Sequence, residues 1–586
     1  MIKTTSQYTK LMNEIIRAPT EADVELHLVN PEITEQASMN ITGSVETYST
    51  DLTTPAVADY ITLEHDWFKV DGSQYILPTN SQDVLPNGVV GVFGAVIQFY
   101  YIFTTPVTFR GISLHFEDVS PTQSDYIEFN MKCYRNHVVV HEFNFNLFHD
   151  WEIFNRNVTQ DVDMVAIKVS QLNSMGDYSL RRRLRVKEII LGQVLQIKPE
   201  KLISVRHDIK RSYLSTELYS NQVDLVMYDE DKTFNPDKPD GLWNLLRENE
   251  PLKIYYSIEN NRFLRNTLFL SDKKSLNDTR LQLTAVSPLQ LLTEVYYETV
   301  SQNYDASYLE TQLKKDTGFD ISIQLPDLFM FQNPLLPLPK NQCLQLIANA
   351  TCGYLYVDEY GKIIISQDTP AEVDSNISFS EMFEKPTLDI KTQLRNVIVS
   401  VTTYGEVQGS ETIFDSDWIT VTDGYTIDVK SDDPGSINFI LLRDESSTVV
   451  IDHLNTTKSL YGAHIELVGN GACELVVNMA KCPKNVEYIT YPVNDEGEDC
   501  TIDNPLISGK SQAYRVAEWV ANYYQNTKVY ETSVRQNYAL ETGDVVNFKN
   551  NMNDTIPALV ERLQFNTPGQ TGAIEVRRWD NGLDNT

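Results

Sequence analysis

Cysteine, histidine and positive charge are all scarce in this chain, and each scarcity closes off a class of function. Six cysteines, at Cys133, Cys343, Cys352, Cys473, Cys482 and Cys500, are spread over 586 residues. No two of them form a CxxC pair, so neither a disulfide framework nor a zinc site is written in their spacing. They read as free, buried thiols, in keeping with assembly in a reducing cytoplasm. Nine histidines are dispersed; His137 and His141 share one side of strand-like sequence but lack a third ligand. Lys and Arg number 48 against 81 Asp and Glu, a net charge of −33. A surface of that sign repels phosphate backbones and argues against specific nucleic-acid binding.

Long apolar runs and catalytic signatures are missing as well. The run from Gly88 to Phe103 is shorter than the ~20 residues of a spanning helix. Glycines, Gln98 and β-branched residues interrupt it, so it reads as buried strands and no membrane span is expected. Met1-Ile2-Lys3-Thr4-Thr5 is polar, without the apolar core of a signal peptide. There is no GxSxG elbow, no HExxH and no glycine-rich phosphate loop. Glycosidase chemistry needs two carboxyls about 5 to 10 Å apart in a cleft, and no local sequence places such a pair. Asp231, Asp237 and Asp240 lack the ordered oxygen pattern of a calcium loop and read as a solvated turn. The expectation is a chain that is not an enzyme and uses no cofactor or metal.

What is present is strand-forming sequence. Hydrophobic residues make up 41%, with 31 Tyr and 23 Phe, and short segments bounded by turn residues recur. The length suggests about four domains of roughly 150 residues each. A short polar helix is predicted within residues 1 to 20, ended by Pro19, and alternation begins at Val24, Leu26 and Leu28. From about 84 to 197 strands follow one another, among them Ile127-Phe129-Met131-Cys133, Phe143-Phe145-Leu147 and Val165-Ile167-Val169. That spacing suits a two-sheet jelly roll of the discoidin or carbohydrate-binding kind. Trp151, between Asp150 and Glu152, is its one candidate sugar contact, against the alternative that Trp151 packs the sandwich. Arg181-Arg182-Arg183 with Arg185 is the one concentrated basic patch.

Residues 189 to 285 then alternate through Leu202–His207, Val223–Met227, Leu252–Tyr256, Leu268–Asp272 and Leu281–Ala285, the pattern of a small antiparallel barrel. An acidic loop carrying Asn235-Pro236-Asp237-Lys238-Pro239-Asp240-Gly241 and a short run Leu242-Trp243-Asn244-Leu245-Leu246 interrupt them. Further on, Tyr308, Leu309 and Leu313 mark a helix stopped by Gly318. Cys343, Leu344, Ile347 and Ala348 mark a second, with Gly353 as its expected cap. A hairpin follows, Tyr354–Val357 and Lys362–Ile365 about an Asp358–Gly361 turn. Leu394-Arg395-Asn396-Val397-Ile398-Val399 opens another barrel. Val516, Ala517, Val520, Ala521 and Tyr524 share a helix face, and Leu540–Val546 precedes the last strands.

This series of segments resembles the tail hub proteins of phages and prophages of Gram-positive bacteria. Ile61-Thr62-Leu63-Glu64 through Asp71-Gly72-Ser73 is similar to the segment that leads into an appended jelly roll in those proteins. The resemblance implies a mainly β fold with short helices: two hub-type β-barrels plus an N-terminal jelly-roll sandwich. It divides the chain into a lead-in (1–78), the jelly roll (79–197), the first hub barrel (198–300), a helix-hairpin domain (301–385) and the second barrel with its helix (386–586). It further implies a structural tail-tip or baseplate protein of the virion, assembled in the host cytoplasm, closing the tail tube as a trimer. Its partners would be the tail tube or distal tail protein, the tape measure and fibres. The alternative is a receptor-binding protein that grips cell-wall glycan through Asp150 and Trp151. Some relatives continue into a peptidoglycan-cleaving domain; here Thr586 follows soon after Trp579, where such a domain would begin.

Overall fold

The computed structural model describes residues 2, 4, 6–12, 14, 17–29, 37–42, 45–47, 76–78, 83–85, 88–90, 97–116, 126–147, 151–173, 186–190, 192–212, 214, 217–238, 241–243, 246–259, 261–296, 303–325, 329–367, 372–444, 448–453, 456–569 and 571–579. It is a β-rich α+β chain with short helices, as the patterning predicts. Contacts divide it into two units: Val24–Lys198 with Glu230–Leu252, and Met1–Asp23, Pro199–Asp229 and Lys253–Thr586.

In the first of these units an antiparallel sheet runs in the order Val186–Ile190, Ile97–Phe116, Trp151–Asn173, Tyr126–Arg135, Val138–Leu147. Ala37–Thr42 also pairs with Ile97–Phe116. The alternation is real: Tyr101, Phe103, Met131, Cys133, Val165 and Ile167 are buried, while Ile102 points outward. Asn136 and His137 both take positive φ (49° and 65°) in the two-residue turn before Val138, the conformation a tight hairpin needs. Val24, Leu26 and Leu28 are buried on a strand paired antiparallel with Gly192–Ile197, and Glu25 is buried beside them. Among the described residues the acidic loop is closed by its own chain, Asn235 Oδ1 accepting from Asp237 N at 2.9 Å and Lys238 Nζ donating to Asp231 O at 3.0 Å. Residues 61–73, Arg181–Arg185 and Asp240 lie outside the described residues.

In the other unit the strands predicted for the first barrel all form. Ser220–Tyr228 buries alternate residues, Asn221, Val223, Leu225 and Met227, whereas Asn261–Asn277 buries Arg265 to Leu268 in succession. Hydrogen bonding runs from Pro251–Ile258 through Asn261–Asn277, Arg280–Val286, Ser220–Tyr228 and Leu202–Lys210. It then continues into Thr555–Thr567, Thr571–Arg578, Lys528–Arg535 and Thr387–Ile390. The join is the register Val205↔Thr567 to Lys210↔Arg562. Strands from opposite halves of the sequence therefore share one sheet.

The helix-hairpin segment shows why local chemistry is legible. Asp305 caps the helix Ala306–Thr317 by accepting from Tyr308 N at 2.8 Å, and Gly318 ends it at φ +71°. Lys340–Ala350 ends differently from expectation. Cys352 N bonds Asn349 O and Gly353 N bonds Ala348 O, a Schellman pair whose left-handed residue is Cys352 at φ +56°. Gly353 is required for another reason: a Cβ there would sit 3.1 Å from Ile365 Cγ2 and 3.3 Å from Ser366 O. The hairpin Tyr354–Val357/Ile363–Ser366 follows, joined in parallel by Ile321–Gln324.

Leu394–Tyr404 lies between Lys484–Pro492 and Glu498–Ile502 in a three-stranded sheet. Between its first two members, residues 405–483 form a small sandwich. One face is Gln408–Val421, Gly471–Lys481 and Gly435–Asp444; the other is built on Gly462–Val468 with Tyr425–Lys430, Val450–Ile451 and Thr457–Ser459. Val421, Val429, Ile465, Leu467, Cys473, Leu475 and Val477 fill the space between. Gly462, at φ +142°, lies so close to its neighbour that a Cβ would meet Val429 O at 1.8 Å. Gly462→Ala is therefore expected to cost about 2–4 kcal/mol and unzip this sheet. Hydrogen exchange at Val429 and Ile465 should accelerate while Leu225 stays protected.

Candidate assembly and binding surfaces

One polar constellation is buried among the strands of the large sheet. Inward-facing positions of separate strands carry His207, Asn221 and Tyr256 in place of the aliphatic residues on either side. His207 Nε2 donates to Asn221 Oδ1 at 2.7 Å, and Asn221 Nδ2 donates to Tyr219 Oη at 3.2 Å. With the amide oxygen turned to the ring, Nε2 carries the imidazole proton and Nδ1 is the acceptor facing Tyr256 Oη at 3.4 Å. The Tyr538 ring lies against that of Tyr256, centroids 4.1 Å apart and planes tilted by 35°. Arg265, fully buried, donates Nη2 to Leu540 O at 2.9 Å and approaches Glu541 at 3.9 Å. Burial, then the charge of Arg265, pushes the His207 pKa down to about 3, so the ring stays neutral. A neutral, hydrogen-bonded, enclosed imidazole holds strands together and reaches no substrate. Sequence reading names His207 only as a strand end; its place in the Val205, His207, Ile209 alternation is the available signal.

A second buried centre joins the C-terminal helix Lys510–Tyr524 to the sheet. Glu561 Oε1 accepts from Arg577 Nε at 2.6 Å and from Tyr523 Oη at 2.5 Å. Arg577 also donates Nη1 to Asn526 O at 2.9 Å. Tyr523, rather than the predicted Tyr524, is thus the helix's buried aromatic.

Near the N-terminal helix Ser6–Met12 a cavity of about 260 Å³ is lined by Tyr8, Arg17, Glu381, Gln536 and Asn537 among others. Arg17 bonds Glu381 Oε2 at 2.6 Å and Gln536 O at 3.2 Å. These groups tie the helix Ser6–Met12 and Arg17 to the sheet: Tyr8, Leu11 and Met12 pack on Ile258 and Ala539.

Trp151 begins the strand Trp151–Asn173, with Trp151↔His115 in register; its side chain, and Asp150, lie outside the described residues. His137 and His141 are both exposed, His141 stacked on Phe143 at 6.0 Å. Among the described residues no group of three His, Cys, Asp or Glu is placed to hold a metal. All six cysteines are free thiols, with Cys133, Cys343 and Cys473 buried. No described helix is long and apolar enough to cross a membrane.

Two surfaces stand out among the described residues. The strand Thr387–Ile390 ends the hydrogen-bonding path of the large sheet and is exposed throughout, with Leu388 37% and Ile390 65% accessible. Phe383, just before it, is 58% accessible. The other is the outer face of the sandwich sheet at 408–481, where Trp418, Phe439 and Leu441 are exposed.

No family model matches the chain, and no curated protein matches it. Among solved structures it is similar to the 43 kDa tail protein of prophage MuSo2 from Shewanella oneidensis, at 10% identity and TM-score 0.38, over 66% of this chain and 96% of that one. It is similar to the tail protein from Neisseria meningitidis MC58 at 8% identity and TM-score 0.38, over 66% and 94%. Prophage tail protein gp18 from Listeria monocytogenes EGD-e aligns at 10% identity and TM-score 0.36, over 66% and 92%. These structural neighbours are tail proteins.

Proposed function

We propose that this chain is a structural, non-enzymatic component of a phage tail tip or baseplate, a hub-like ring that closes the tail tube and anchors neighbouring tail proteins. The observation that carries the reading is the bare strand Thr387–Ile390. An open sheet edge with Leu388, Ile390 and Phe383 exposed is a template for another chain's strand, and natural proteins cover such edges. A closed ring of identical copies covers each edge with the next and leaves none open. The tail-hub resemblance of the sequence implies three copies in that ring and a place in the virion. Its other partners are the tail tube or distal tail protein, tape measure and fibres. The excess of carboxylates suits a lumen through which DNA slides without adhering, because basic contacts to phosphate would add salt-dependent affinity.

The test is the oligomeric state of the full chain. The native protein is expected to sediment as a trimer at micromolar concentration, and Leu388→Glu with Ile390→Lys to sediment as a monomer with unchanged circular dichroism. A wild-type chain that stays monomeric would sink the ring. The second reading, receptor recognition by a jelly roll at residues 79–197, is supported by sequence: an aromatic between two carboxylates at Asp150, Trp151 and Glu152. Loss of cell-wall glycan binding in Trp151→Ala would support it.

A further inference from the structure

The sandwich at 405–483 displays on its outer face a grid set by strand register. Arg443, Glu474 and Trp418 form one cross-strand row, Leu441, Val476 and Asp415 the next, and Phe439, Asn478 and Thr412 the third. Residues directly opposite in antiparallel strands share a face. The alternate residues Ile440, Leu442, Leu475 and Val477 face the core, so these nine face away from it. An apolar diagonal runs from Phe439 (47% accessible) through Val476 to Trp418 (51%). Two strand spacings across and four residues along, the two rings are on the order of 16 Å apart.

Polar groups flank each ring. Arg443 Nη1 donates to Glu474 Oε2 at 2.8 Å beside Trp418. Beside Phe439, Asn438 Nδ2 donates to Ser410 Oγ at 3.2 Å and to Asn478 Oδ1 at 3.3 Å. Among the described residues neither Asn438 Oδ1 nor Asn478 Nδ2 bonds a protein group, which leaves a free acceptor beside a free donor. The core of a protein–protein interface is depleted of charge, whereas here an ion pair and Asp415 sit within the patch. Carboxylates outnumber Lys and Arg several-fold between residues 406 and 482, which repels phosphate polymers and anionic lipid.

We propose that this face binds a glycan chain whose sugars carry acetamido groups. Pyranose rings stack their C–H faces on Trp418 and Phe439. An acetamido N–H and C=O meet the free Asn438 acceptor and Asn478 donor, and Arg443 with Glu474 hydrogen-bonds ring hydroxyls. The separation of the two aromatics requires several linked sugars rather than one. This site is separate from Trp151 and does not rest on the tail reading.

Titration calorimetry of the full chain with the N-acetylglucosamine hexamer tests it. Saturable binding is expected, at least tenfold weaker in Trp418→Ala and in Phe439→Ala, and unchanged in Trp151→Ala. Both rings are half-exposed, so their truncation should leave the melting profile intact; Asn438→Ala, at an exposed position, gives a third weakened variant. A glucose hexamer and teichoic acid are expected to bind at least tenfold more weakly. Absence of hexamer binding, binding undiminished in the Trp418→Ala/Phe439→Ala double variant, or equal affinity for the glucose hexamer would overturn the proposal. So would finding that these variants lose only a protein partner.

Discussion

Glu561→Ala is expected to destabilise the large-sheet unit by about 3–5 kcal/mol, because it strands a buried guanidinium. Arg577 is 6% and Glu561 9% accessible, and the carboxylate is the sole anionic partner among the side-chain contacts described for Arg577. Its removal leaves Nε without an acceptor while Nη1 keeps only the Asn526 carbonyl. Tyr523 Oη loses its acceptor in the same stroke. Glu561→Gln keeps an oxygen in place and loses only the charge, so it should fall between wild type and alanine. Removing both charges, Glu561→Leu with Arg577→Leu, should cost less than the sum of the single changes, since no unpaired ion is then buried. Urea titration of wild type, Glu561→Leu, Arg577→Leu and the double variant closes the cycle. Additive costs would mean that the pair is hydrated and that the helix Lys510–Tyr524 is held by Val516, Ala517 and Val520 alone.

The parts of the fold legible in the sequence are those decided within a few residues of chain. Asp305 and Gly318 bracket a helix because one supplies an acceptor and the other a left-handed backbone, and both signals are local. The hairpin at 354–366 is legible for the same reason. Gly353 misleads although it lies in the same motif: glycine is the default left-handed cap, yet Cys352 takes that conformation here because Gly353 is needed against Ile365. The register of Val205 with Thr567 is out of reach, since two alternating strands far apart in sequence carry no mark that names each other. The sandwich at 405–483 escapes for a further reason. Bulges between Thr412 and Phe414, and again between Asp415 and Trp418, break the period of two on which strand reading depends. Trp418 therefore gives no sign of the face it takes. The bare strand Thr387–Ile390 is equally silent, since four residues, Thr-Leu-Asp-Ile, alternate like any half-buried strand.

Acid should weaken this fold through His207, and His207→Gln should remove that sensitivity. The ordinary imidazole value lies near 6.5, and burial beside Arg265 pushes the folded value down to about 3. A base depressed in the folded state binds its proton only after unfolding. Its contribution is complete above pH 6.5 and is lost as the pH falls toward 3. Each unit in that window is worth about 1.4 kcal/mol, up to about 5 kcal/mol in all. Asp358 works the other way. Burial lifts its carboxyl to about 6, so the folded state gains a proton first, and stability rises as the pH falls from 6 to the ordinary carboxylate range. The wild-type profile sums both, so the comparison of two proteins isolates the imidazole. The amide introduced by His207→Gln keeps a neutral donor toward Asn221 and cannot titrate, whereas Asp358 is the same in both. The expected result is a difference in urea midpoint between wild type and His207→Gln that is constant above pH 7. Below pH 6.5 it should shrink, and then reverse, as wild type alone bears the cost of protonation. A difference that stays flat from pH 8 to pH 4 would show that water reaches the ring and that His207 is not buried in solution.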